Sequence, residues 1–143
     1  MKIFTIGFTK TSAERFFTRL KKARPKRIID VRLNNVSQLS GFAKRDDLRY
    51  FVHEICGMEY IHVPEFVPTK DILDNFKKNG GDWHEYEKKF LGLIQERCVE
   101  NLDQEMLNDG CLLCSEDKPH YCHRRLVAEY FRRHWDDVEI VHL

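Results

Sequence analysis

The tightest constraint in this chain comes from short apolar runs that leave no place for a polar alternate. Arg27-Ile28-Ile29-Asp30-Val31 and Cys111-Leu112-Leu113-Cys114-Ser115 are too short for helices. A strand that is apolar at successive positions needs both faces of its sheet covered, the signature of a parallel sheet between helical layers. Around these runs the chain alternates between strand-like and helix-like periodicity. Residues 2–6 read as a first strand, Gly7-Phe8-Thr9 as a turn, and Thr11-x-x-Glu14 as a capping box for a helix to about residue 23, ended by Pro25. Residues 32–44 are rich in Asn and Ser without a period and form a long loop of the functional kind. Asp46 or Asp47 caps a helix carrying Leu48, Phe51, Val52 and Ile55, which Gly57 stops before a strand at 59–63.

Thr69 and Asp82 start two further helices, the second with Trp83, Tyr86, Phe90, Leu93, Ile94 and Cys98 on one stripe, read as core. A strand at 111–115, a helix opened by Cys122 or His123 and a strand at 138–142 complete the order β-α-β-α-β-α-α-β-α-β. This predicts an α/β fold of three layers, with a mainly parallel sheet of about five strands and helices on both faces. Composition fits one domain over residues 1–143: 42% hydrophobic, 33% charged, with no repeat or linker. Twenty-four Lys plus Arg against 23 Asp plus Glu leave a formal charge of +1, so bulk electrostatics favours neither nucleic acid nor a membrane surface. No uncharged apolar run approaches the roughly 18 residues that a membrane span needs. Five cysteines, an odd number, and a start without a signal-peptide pattern place the chain in a reducing cytoplasm.

A parallel sheet puts ligand sites outside the C-terminal ends of its strands. Just past those ends stand Gly7 and Thr9, Asp30 and Arg32, then Cys114, Ser115 and Glu116 leading to Cys122, His123 and Arg124. Asp30 and Arg32 alternate onto one side of their strand, suited to pairing or to holding a ligand's donors and anion. Cys122 at a helix N-terminus meets unpaired N–H groups and the helix dipole, which favour a thiolate and equally an anionic ligand group. Cys114, Cys122 and His123 are the residues for a metal if one is present, but Cys111 and Cys114 point to opposite faces of a strand and no second compact ligand pair exists, so no metal is expected. Cys56, Cys98 and Cys111 read as core. Gly7 stands alone, without G-x-G-x-x-G or a P-loop Lys, so no nucleotide cofactor is expected.

Thr5-Ile6-Gly7-Phe8-Thr9, Asp30-Val31-Arg32, Leu112-Leu113-Cys114-Ser115-Glu116 and Cys122-His123-Arg124, in this order, resemble the DUF488 family, small proteins of unknown function. The resemblance implies an α/β domain and a shared pocket without bringing a reaction. Phe8 stands where the family commonly has His, leaving Thr9 as the hydroxyl, and Asn34-Asn35 occupy a stretch where a Pro is frequent.

The residues and the resemblance together predict an enzyme binding a small anionic or nucleotide-like ligand at the strand ends. Arg32 and Arg124 hold the anion, with Gly7, Thr9 and Ser115 lining the site; Glu116 or Asp30 handles protons, His123 assists, and Cys122 or Cys114 is the nucleophile. Two alternatives stay open. One is a nucleic-acid-binding or -processing module using the basic run Lys21, Lys22, Arg24, Lys26 and Arg27 with the Arg-rich last helix. The other is a zinc-stabilised interaction domain.

Overall fold

The computed structural model describes residues 1–36 and 40–143. Strands β1 (Lys2–Gly7), β2 (Arg27–Asp30), β3 (Glu59–His62), β4 (Gly110–Cys114) and β5 (Glu139–His142) form an all-parallel sheet in the order β3-β2-β4-β1-β5. The helices are α1 (Ala13–Ala23), α2 (Arg45–Cys56), α3 (Lys70–Lys77), α4 (Trp83–Glu96), the single turn α5 (Gln104–Leu107) and α6 (His123–His134). The three-layer α/β architecture is the one the apolar runs require.

Period-two alternation sorts the apolar strands into two cores. Phe4 and Ile6 of β1, Ile28 of β2, and Cys111 and Leu113 of β4 face α1 and α2, where Phe16, Phe17, Leu20, Leu48 and Val52 are buried. Ile3, Ile29, Val31, Leu112 and Cys114 face the other way, onto Tyr86, Phe90 and Ile94 of α4 and the apolar side of α6. The two cysteines of the β4 run thus lie on opposite faces, as expected. Strand order explains which helices go where. The chain steps from β1 to β2 to β3 towards one edge, then reverses to β4 and β5. Right-handed crossovers put connections of opposite direction on opposite faces. The chain therefore leaves β4 for one face while its neighbours β1 and β2 leave for the other, and a crevice opens at the C-terminal end of β4.

Local capping shifts several boundaries. Helix α1 is capped by Ser12, whose hydroxyl accepts from the Arg15 amide at 3.2 Å, and not by the Thr11-Glu14 box. Helix α2 begins at Arg45 with Lys44 as its cap residue, so Asp46 and Asp47 sit in the first turn, where they favour the helix dipole instead of capping. Thr69 caps α3 as read, and Gly57 closes α2 at φ 63°. Helix α4 ends at Glu96, and Cys98 lies beyond it at φ 53°, exposed and not in the core, because the apolar stripe runs past the point where the chain turns. Cys56 is only partly buried, whereas Cys111 is fully buried. The turn α5 and the 3-10 turns Pro64–Phe66 and Val99–Asn101 were not legible, being too short to show a period. Within loop 32–44, Gly41–Ala43 forms a 3-10 turn; positions 37–39 lie outside the described residues.

One glycine sets how closely the chain packs at the crevice. Gly7, paired with Cys114 across β1 and β4, lies so near the Glu116 carbonyl that a Cβ would come within 1.6 Å of its oxygen. Relief requires backbone movement. Gly7→Ala is therefore expected to cost about 3 kcal/mol or more in urea unfolding, at the top of the overpacking range. Gly92→Ala in α4, where a Cβ meets nothing within 4 Å, is expected to stabilise by about 0.5–1 kcal/mol. A neutral Gly7→Ala would show that the β4–α6 loop yields freely.

Candidate functional site

At the end of β2 a buried ion pair fixes the first site residues. Asp30 and Arg32 are 0% and 2% exposed, and their contact is bidentate, Nε to Oδ1 at 2.9 Å and Nη2 to Oδ2 at 2.8 Å. The Arg32 amide donates to Oδ1 at 3.1 Å, the Tyr60 hydroxyl donates to Oδ2, and Asn35 Nδ2 lies 3.4 Å from it. Burial pushes the Asp30 carboxyl up, but the Arg32 and Tyr60 contacts outweigh it and hold the group below its usual range. Arg32 also lies over the Phe8 ring, with Cζ 5.2 Å from the centroid. Its remaining nitrogen, Nη1, is buried and has no partner among the described residues.

The loop from β4 to α6 is tied down from behind. Thr9 Oγ1 donates to the Ser115 carbonyl at 2.8 Å, and the Phe8 and Thr9 amides lie 3.3 and 3.1 Å from the same oxygen. Arg124, fully buried, donates from Nη1 to the Glu116 carbonyl at 2.6 Å. Gly7, Thr9 and Arg124 thus shape the loop, and none of the three lines the cavity in front of it.

On the open side of that loop three reactive groups converge. Cys114 ends β4, Cys122 is the cap residue of α6 and His123 its first residue; their Sγ, Sγ and ring nitrogen lie within 4.8 Å of one another, all buried. His123 Nε2 is 2.5 Å from the Val31 carbonyl. A carbonyl only accepts, so Nε2 carries a proton, and Nδ1, 3.6 Å from Cys114 Sγ, is the nitrogen free to exchange one. Phe90 packs edge-on against the ring at 5.3 Å. Burial pushes the Cys122 thiol up, but the hydrogen bond from Cys114, the His123 ring and the Arg124 charge pull it well below its ordinary value. Donating to Cys122, and buried beside it, raises Cys114. Negative charge is thus favoured on Cys122, with the Cys114 S–H as its support. The same atoms offer a metal two sulfurs and a nitrogen; no fourth Cys, His or carboxylate joins them among the described residues, so the set is that of an open site and not of a closed structural zinc.

A cavity of about 180 Å³ opens onto this cluster. Arg32, Cys114, Ser115, Glu116, Cys122 and His123 line one part of it. Glu116 is ion-paired with Lys77 of α3 at 2.5 Å. Asp30 lies behind Arg32 and does not line the cavity. Sequence reasoning missed the opposite wall, which includes Phe76, Trp83, Tyr86 and Tyr121. The Trp83-Tyr86 stripe was visible, but a stripe facing core and a stripe facing a cavity have the same period. Lys77 and Tyr60 gave no signal, since each acts through a partner 39 or 30 residues away. Part of the basic run is engaged at its far end: Arg27 donates to the Glu105 and Met106 carbonyls and pairs with Glu59, and Lys26 pairs with Asp109.

Removing one partner of a buried pair strands the other. Asp30→Asn is expected to cost about 3 kcal/mol or more in urea unfolding at pH 7. A carboxyl that titrates lower when folded contributes fully above its ordinary value, near about 4, and loses that contribution as pH falls through its folded value. The gap between wild type and variant should accordingly close in acid. A loss under about 1 kcal/mol at pH 7 would mean that the pair only breaks even with its desolvation.

No curated protein and no solved structure matches the chain. A family model does, over residues 12–131, and its description is a domain of unknown function, DUF488. That match takes in Asp30-Val31-Arg32, the β4 run and Cys122-His123-Arg124, and so nearly the whole of the crevice just described. The chain belongs to the DUF488 family.

Proposed function

We propose that the protein is an enzyme that binds a small anionic ligand at the C-terminal ends of β2 and β4 and attacks it with the Cys122 thiolate. One observation carries the reading. Among the described residues, Arg32 Nη1 is a buried cationic donor without a partner, as is Arg124 Nε, and of the two arginines Arg32 lines the same cavity as Cys122 and His123. Burying a charged donor unsatisfied costs free energy that an anion bound there would recover. The first turn of α6 adds N–H groups that lack intrahelical partners, on the positive end of the helix dipole.

In this reading each residue has one task. Asp30 and Tyr60 position Arg32, and Arg32 receives the anion. Cys122 passes its thiol proton to His123 Nδ1 and donates a sulfur electron pair to the ligand's electrophilic atom, and the leaving group departs with its bonding pair and takes that proton from Nδ1. Water then hydrolyses the adduct and restores the thiol. Cys114 holds the thiolate by its S–H. Glu116, neutralised by Lys77, leaves the cavity hospitable to negative charge. Thr9, Gly7 and Arg124 keep the loop in place, and Ser115 gives its carbonyl to that task.

Alkylation kinetics with peptide mapping test this. Cys122 should react at least tenfold faster with iodoacetate than with uncharged iodoacetamide, a preference that exposed Cys98 lacks. Millimolar phosphate or acetate should slow it, and Arg32→Ala should abolish the preference; the phosphate and acetate protection in wild type covers the case in which that variant unfolds. Equal rates with both reagents and no protection overturn the reading. So does about one zinc per chain in the purified protein, lost on Cys122→Ala, since a metal would then hold the sulfur.

A further inference from the structure

The wall facing the thiol cluster has a chemistry of its own. Trp83 and Tyr86 of α4 stack at 4.9 Å and 18°, Tyr121 stands against Trp83 at 5.5 Å and 70°, and Phe76 of α3 lies at 5.4 Å and 64°. Rings set both parallel and perpendicular offer a flat guest faces as well as edges. Tyr121 is 63% exposed and Leu33, on the Arg32 side, 42% exposed, so two large apolar side chains flank the cavity with no core of their own to fill. Apolar surface kept open to water beside a cavity marks a ligand's place.

Charge and size narrow the guest. Arg32, Cys122 and His123 bring polar groups to the cavity, Lys77 stands over the Phe76 ring at 5.5 Å, and the only carboxylate among the described lining residues, Glu116, is paired with Lys77. The cavity holds about 180 Å³. An apolar cavity of about 150 Å³ is enough for benzene. That is room for one ring and a small charged group.

We infer that the ligand of this site is a single flat ring bearing an anionic group, carboxylate or phosphate, with the anion on Arg32 and the ring against Trp83 and Tyr121. This rests on the anion-binding reading above and adds the ring to it. It also sets orientation: the bond next to the anionic group, and not the far side of the ring, is presented to Cys122.

Calorimetric titration of the full chain with benzoate, acetate, phenyl phosphate and inorganic phosphate tests it. Within each pair the ring-bearing anion should bind at least tenfold tighter than the bare one. Trp83→Leu should reduce that advantage to threefold or less while leaving the bare anion's affinity unchanged. Tyr121→Ala, at an exposed position that does not threaten folding, should reduce it in the same direction. Whichever pair binds more tightly identifies carboxylate or phosphate as the anion. Equal affinity for ring-bearing and bare anions overturns the inference and leaves anion binding standing; no binding of any of the four overturns both.

Discussion

Taking a carboxylate and a guanidinium out of water costs several kcal/mol per ion, and the end of β2 takes out both. Asp30 and Arg32 meet that cost by geometry: two parallel N–H to oxygen contacts, a third from the backbone, and the Tyr60 hydroxyl. The saturation is one-sided. Arg32, Tyr60 and Asn35 converge on Asp30, while Arg32 Nη1 has no partner among the described residues. The pair therefore does more than close the strand. It turns a flexible cation into a fixed one, pinned on Phe8 on one side and on Asp30 on another, so that the chain has lost its conformational freedom before any ligand arrives.

Around that pair the fold is arranged by handedness. Because right-handed crossovers send opposite chain directions to opposite faces, the reversal at β3 puts the connections of β3 and β4 on the face opposite those of β1 and β2. The residues Cys114 to Cys122 are chemically prominent because they belong to the β4 connection.

This much could be read from the residues. Fully apolar runs announced a parallel sheet, the parallel sheet announced its strand ends, and Asp30, Arg32, Cys114, Cys122 and His123 stand there. The rest depends on long-range packing. Arg124 reads as a ligand contact because arginines at helix starts commonly face solvent or anion, but the missing side chain at Gly7 brings the Glu116 carbonyl inward and gives the guanidinium an internal partner. Cys98 sits in register with the α4 stripe, yet the helix ends two residues before it, which no periodicity records. The Trp83-Tyr86 stripe belongs in part to core and in part to cavity, and only the placement of α3 and Tyr121 separates the two.

The hydrogen bond from His123 Nε2 to the Val31 carbonyl has an electrical consequence. With one nitrogen committed to a group that cannot take a proton, the ring exchanges protons only at the edge facing the sulfurs. A proton that leaves a thiol for Nδ1 therefore stays inside the cluster, and the neutral pair becomes an ion pair without any change in net charge. The interior then pays for a dipole instead of a bare anion, a far smaller cost in a medium of low dielectric. On the proposed reading, the pocket holds its nucleophile in readiness while its total charge stays the same.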